Sequence, residues 1–307
     1  KRKIAYLLSS TLVIISLVSI FTKGLNYGVD FTGGRTYVVE FTEKIDLDAL
    51  RSDLEQYFVD ENGNSLPPEV KQFGASNRAK ITTKYLINDN ADNADQRVED
   101  QMRKGLSLID DDFDIQESRK VDPTITSDFK YESMMAIGLS LLVIFLYILL
   151  RFRTWQYGAG ALIALFHDVI ITLGVYSIFY GILPFNLEID MAFIAAILTV
   201  VGYSINDTVV VFDRIREFLG LHARQSMKVV VDNSLNSTLS RTINTSLSTF
   251  VVLLAIFIFG GDSIRGFVFA MMIGVVVGTY SSLFVASPIM VDLSKERKTV
   301  KENNTVK

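Results

Sequence analysis

Three ionisable side chains stand inside long apolar runs: Asp207, Arg241, and Asp168 within "LFHDVIITLG". An ionisable group at membrane depth is costly unless it is paired or hydrated, so each is a candidate for function. With Asp213 and Asn233 taken as the edges of their spans, Asp207 lies six residues deep and Arg241 eight, roughly 9 and 12 Å at 1.5 Å per residue. The two can therefore meet at one depth. Ser204, Asp207 and Val211 share a helix face, with Asn206 alongside. On the other span Asn233, Ser237, Arg241, Asn244 and Ser248 recur every three or four residues, with Thr245 beside them. That spacing draws a polar stripe that must face other helices or water.

Such a set could bind and release a small cation at Asp207, with Arg241 setting the affinity. Burial disfavours a charged carboxylate and a nearby guanidinium favours it, so small movements would switch the group. The same pair could instead be a static ion pair that fixes helix packing. Asp168, with Thr172 one turn on, reads either as a second relay carboxylate or as a hydrogen-bond acceptor for a neighbouring helix. His167 points to another face and reads as a packing residue. Asp213 and Arg214, in "FDRIREF", fall where the span meets solvent.

Other chemistry is excluded by what is missing. The chain has no Cys and 2 His, so disulfides, thiolate metal sites, a thiol nucleophile and a His-rich metal site are out. It has no GxxxxGK[ST], HExxH, GxSxG or GxGxxG, so no enzyme activity and no cofactor are expected. Energy would have to come from an ion gradient, H⁺ or Na⁺, or from a partner protein. "DFTGG", with Gly33 and Gly34, reads as a turn before a strand and not as a phosphate cradle.

These residues need a membrane scaffold, and the composition provides one: 307 residues, 49% hydrophobic, 5 Pro and a mean hydropathy of +0.31. A net charge of -4 gives no field to attract nucleic acid. Six stretches approach the roughly 20 residues needed to span a bilayer: 4–22, 133–150, 158–181, 189–212, 239–260 and 264–288. Basic residues at "KRK", Arg151 and Arg153, Arg214 to Lys228, and "KERK" fall on one side. Both termini are thus expected in the cytoplasm and residues 23–132 outside. Gly202, Gly274 and Gly278 would let helices approach closely. Residues 213–232 set Ile215, Phe218, Leu219 and Met227 against Arg214, Arg224 and Lys228, as an interfacial helix would. Residues 291–307 form a polar cytoplasmic tail.

The outer stretch has the periodicity of a folded domain. "RTYVVEF", "AKITTKYLI" and "FDIQESRKV" read as strands. Leu47, Leu50, Leu54 and Phe58, then Val98, Met102, Leu106 and Ile109, mark two helices. "DENGNSLPPE" and "NDNADNAD" read as loops. The expected fold class is a polytopic α-helical membrane protein with six transmembrane helices plus a small α+β, ferredoxin-like extracytoplasmic domain.

Four segments carry a resemblance: "YGVDFTGGRTYVVEF" (27–41), "HDVIITLG" (167–174), "VGYSINDTVVVFDRIRE" (201–217) and "NSTLSRTINTSLST" (236–249). In this order, and over nearly the whole chain, they resemble the SecF family of the resistance-nodulation-division superfamily. The resemblance implies promotion of polypeptide export across the bacterial cytoplasmic membrane, driven by a proton or sodium gradient. It implies SecD, the SecYEG channel, YajC, the translocating unfolded polypeptide and the lipid bilayer as partners. Asp207 then matches the family's membrane carboxylate and Arg241 its basic partner. Six spans make half of a pseudo-symmetric transporter, so a second six-span half is expected. Lys1 in place of Met reads as the SecF half of a fused chain or a chain trimmed at its start. A small-molecule or lipid exporter of the same superfamily, or a non-transporting scaffold, remain alternatives.

Overall fold

The computed structural model describes residues 2–59, 65–87, 89, 93–183, 185 and 187–294. The expected loop residues 60–64, 88 and 90–92 and the tail 295–307, with its "KERK", lie outside them. Helix α1 (Arg2–Thr22) leads through a short helical turn, α2 (Val29–Thr32), into the polar domain. That domain runs β1 (Gly34–Glu40), α3 (Leu47–Glu55), β2 (Glu69–Gln72), β3 (Arg78–Thr83), α4 (Ala94–Leu106), β4 (Asp114–Val121). The sheet is antiparallel with order β2-β3-β1-β4, the ferredoxin-like arrangement.

Alternation in β1 sorts its two faces. Tyr37 and Val39, with Phe41 beyond, pack against Leu50, Leu54 and Phe58 of the α3 region and Val98, Met102 and Leu106 of α4. Leu50, Leu54, Val98, Met102 and Leu106 are fully buried, as their helical spacing predicts. Asp46 caps α3 by accepting the Asp48 and Ala49 N–H groups. Strand β2 begins at Glu69, the last residue of the expected loop, and is not among the expected strands; its four residues carry no alternating apolar pattern, and pairing with β3 defines it.

Beyond β4 come α5 (Pro123–Phe152), α6 (Trp155–Phe179), α7 (Met191–Leu221), α8 (Met227–Phe259) and α9 (Asp262–Ser281). A π-helical turn (Ser282–Ala286) joins α9 to α10 (Ser287–Leu293). Six helical stretches among the described residues are long and apolar enough to cross a membrane. Their ends depart from the sequence reading. Helix α5 starts at Pro123, so residues 123–132, expected in the polar domain, are its first turns. No separate interfacial helix fills 213–232: α7 continues to Leu221, α8 begins at Met227, and a turn joins them. Three of the four apolar side chains that suggested such a helix pack inward, with Ile215 fully buried and Leu219 and Met227 against the same cluster, while Phe218 lies against Arg214 and His222.

Helices α7 and α9 approach closely at Gly274 and Gly278 of α9. A Cβ at Gly274 would collide with Val200, and one at Gly278 would stand 2.9 Å from Ser204 Cβ. Gly202, expected to play the same part, faces open space and does not.

Candidate functional site: two buried carboxylates

Asp168 of α6 is fully buried. Its Oδ2 accepts hydrogen bonds from Ser204 of α7 at 2.6 Å and Ser281 of α9 at 2.8 Å. His167 Nδ1 lies 3.0 Å from its Oδ1, and the Thr172 hydroxyl bonds to the Asp168 carbonyl. Three helices thus converge on one carboxylate. A hydroxyl layer continues beside it. Thr208 and Ser282 hydroxyls meet at 2.8 Å, and Ser282 donates to the Ser204 carbonyl at 3.2 Å. Ser282 opens the π-helical turn, a deviation common at functional sites. His167, expected to point to another face, turns its ring to the Asp168 carboxylate instead; it is buried, stacked at 6.2 Å on Tyr280, and its Nε2 has no partner among the described residues.

Asp207, near the middle of α7, is 4% exposed and far less well satisfied. Among the described residues it accepts one hydrogen bond, from Ser246 of α8 at 3.3 Å. Ser246 is itself approached by the hydroxyls of Thr279 on α9 at 2.6 Å and Tyr203 on α7 at 3.4 Å. The buried line of α8 is Ser234, Thr238, Thr242 and Ser246, spaced by four residues. The Thr242 hydroxyl in that line has no partner among the described residues. A buried carboxylate with one long hydrogen bond, from a serine whose hydroxyl is shared with two others, keeps spare lone pairs that can take a proton or a small hard cation.

Arg241 does not close on Asp207. No hydrogen bond or ion pair joins them, and the guanidinium is exposed on this chain, its charge reaching Asp207 only through space. Matched depth did not bring the pair together because Arg241 lies one residue, about 100°, round the helix from Thr242. Asn244, Thr245 and Ser248, with Ser237, Asn233 and Asn206 of α7, share its exposure. The polar stripe of α8 therefore faces away from the bundle.

Asp213 and Arg214 sit at the end of the bundle remote from the sheet. Asp213 pairs with Arg151 of α5 at 2.8 Å and Arg216 at 3.3 Å. Arg214 bonds to Glu217 at 2.7 Å and to the Ser237 hydroxyl at 2.9 Å. They tie α5, α7 and α8 together at a half-exposed edge, where such pairs contribute little each. The sequence reading missed Ser246, Thr279, Ser281 and Ser282. Hydroxyls inside spans are common; the line-up of Ser234, Thr238, Thr242 and Ser246 at intervals of four on α8 could have signalled Ser246, and nothing in the spacing signalled the other three.

Fold and site define a multi-pass membrane protein with a small α+β domain between its first and second spans and two carboxylates within the bundle. Comparison with known proteins makes this specific. The family described as "Protein export membrane protein SecD/SecF, C-terminal" matches residues 101–296, and the "SecD/SecF GG Motif" matches residues 18–45. The protein translocase subunit SecF of Rhodothermus marinus is 43% identical over 95% of this chain and 91% of its own. That of Haemophilus influenzae is 40% identical over 97% and 86%. A crystal structure of SecDF from Thermus thermophilus, described as a translocon-associated membrane protein, superposes with a TM-score of 0.80 at 31% identity. It covers 95% of this chain, and this chain spans 38% of that one. SecDF in a super-membrane-facing form matches with a TM-score of 0.62 at 33% identity. The chain belongs to the SecF family of protein translocase subunits.

Proposed function

We propose that this subunit promotes polypeptide export across the bacterial cytoplasmic membrane by coupling it to a proton or sodium gradient, with Asp207 as the group that takes up and releases the cation. The observation that carries this reading is the poor satisfaction of Asp207, one long hydrogen bond for a carboxylate 4% exposed. Ser246 and Thr279 link α7, α8 and α9 around it, so a change of charge on Asp207 alters what those three helices gain by staying together. Arg241 tunes that charge through space from the exposed face of α8, with Ser204, Asn206, Ser237, Asn244 and Thr245 as supporting polar groups. Asp168, already holding three partners, fixes α6, α7 and α9 and is the less exchangeable of the two. Asp213 and Arg214 brace the opposite end.

The partner reading rests on the outward polar stripe. A guanidinium with Asn, Ser and Thr neighbours on a membrane-length helix calls for polar cover. A second six-span half, SecD, would supply it, consistent with this chain spanning 38% of SecDF. The pair would work beside SecYEG and with YajC on a translocating unfolded polypeptide, without nucleic acid and without a cofactor. Both termini are placed in the cytoplasm and the sheet domain outside, from the basic-residue asymmetry.

The test is pulse-labelled precursor processing in cells depleted of this protein and rescued with wild type or Asp207→Asn. Maturation with wild type and accumulation with the variant is expected. Equal rescue would make the carboxylate structural, and no effect of depletion would favour an exporter of small molecules or lipids.

A further inference from the structure

The sheet domain rests on the bundle through a short, charged junction. The segment before β1 runs beside the connection from α6 to α7: the Gly28 N–H donates to the Ile189 carbonyl at 2.9 Å, and the Ile189 N–H to the Asn26 carbonyl at 2.7 Å. A Cβ at Gly28 would stand 3.2 Å from Asp190 Cβ and 3.3 Å from Glu188 Oε2, a tight approach that a larger residue would push apart by a few tenths of an ångström. Lys80 of β3 pairs with Glu188 at 2.6 Å. A crevice of about 180 Å³ remains between sheet and bundle, lined in part by Thr36, Val38, Glu117 and Phe267.

Within this junction Asp30 stands apart. It is 1% exposed, the most buried charge there, and its two oxygens serve two different bodies. Oδ2 accepts the N–H of Met191, the first residue of α7, at 2.8 Å. Oδ1 lies 2.7 Å from the guanidinium of Arg119, in β4. Helix α7 already has its own cap, for Asp190 accepts the Phe193 N–H at 2.7 Å. The start of α7 thus holds a second carboxylate from a distant part of the chain, at an end where negative charge is favoured.

We propose that Asp30 is a positioning residue, the joint that ties the N-terminal end of α7, the helix carrying Asp207, to strand β4 of the sheet domain. The proposal rests on the reading of Asp207 as the coupling group. A helix is stiff along its axis, so a displacement at Asp207 reaches Met191, and the shared carboxylate carries it to Arg119. The Lys80–Glu188 pair holds the loop; Asp30 holds the helix itself.

The experiment uses the full chain with its translocase partners in proteoliposomes. Spin labels go on Asp100→Cys in α4 and Phe259→Cys at the end of α8, both exposed in a chain without native Cys. Asp207→Asn should shift the label distance, and the shift should vanish when Arg119→Gln or Asp30→Asn is added. Arg119 is half exposed, so Arg119→Gln decides if Asp30→Asn fails to fold. Independently of Asp207, Arg119→Gln should broaden the distance distribution and speed amide exchange in the first turn of α7. A shift of undiminished size in both double variants would overturn the joint. So would unchanged width and exchange in Arg119→Gln. If Asp207→Asn alone causes no shift, the coupling reading fails, and the width and exchange still decide the joint.

Discussion

Asp168 and Asp207 are buried in one bundle of helices, Asp168 bonded to Ser204 of α7 and Asp207 less than one turn of α7 beyond that serine, and they are served very differently. Asp168 has short hydrogen bonds from Ser204 and Ser281 and the His167 ring at 3.0 Å. Asp207 has Ser246 at 3.3 Å. Since an unsatisfied buried charge is expensive, the first carboxylate is held by what surrounds it, and the second is left with capacity for something that comes and goes. The difference teaches that burial alone does not mark an exchanging site; the number and quality of donors does.

The sharpest way to break this contrast is Asp207→Asn, which keeps shape and removes the titratable charge. Gradient-dependent precursor export should be lost while the melting temperature of the purified protein barely moves. Asp168→Asn should do the reverse, lowering stability by about 1–3 kcal/mol, the cost of disturbing a buried hydrogen-bonded group, with export per folded molecule largely kept. Thermal unfolding in detergent beside export assays reads both.

A smaller effect should sharpen the same line. Ser246→Ala removes the one donor to Asp207 among the described residues and should change apparent cation affinity about tenfold, equivalent to ~1.4 kcal/mol. Ser281→Ala leaves Asp168 two partners and should leave the cation dependence of export where it was.

The smallest effect concerns a third carboxylate, in the sheet domain. Asp95 is exposed, and hydrogen bonds from the buried Arg35 and from Lys120 hold its carboxyl below the usual range. Its contribution to stability is therefore present above the ordinary carboxylate pKa and lost as pH falls below it. Acid unfolding of Asp95→Asn should show a shallower loss of stability over that window than wild type.

Much of this was legible in the sequence, for identifiable reasons. Leu50, Leu54, Val98, Met102 and Leu106 repeat with helical spacing because they share one core, and they are all fully buried. Long apolar runs betrayed the spans. The start of α5 was hidden because Thr, Ser, Asp, Lys and Glu fill its first turns, and β2 because four residues show no period. The depth of Asp207 and Arg241 could be counted along the chain. Their azimuth could not, since it depends on which face of α8 the neighbouring helices claim. Asp30 looked like part of a turn, and only folding brought Met191 and Arg119 to its two oxygens.

The most direct test of the central claim is difference infrared spectroscopy of the carboxyl region, recorded on proteoliposomes as pH is stepped across the working range. A protonation band that persists in Asp168→Asn and disappears in Asp207→Asn is the predicted result. A band that survives in Asp207→Asn, or is lost only in Asp168→Asn, would contradict the assignment of Asp207 as the exchanging carboxylate.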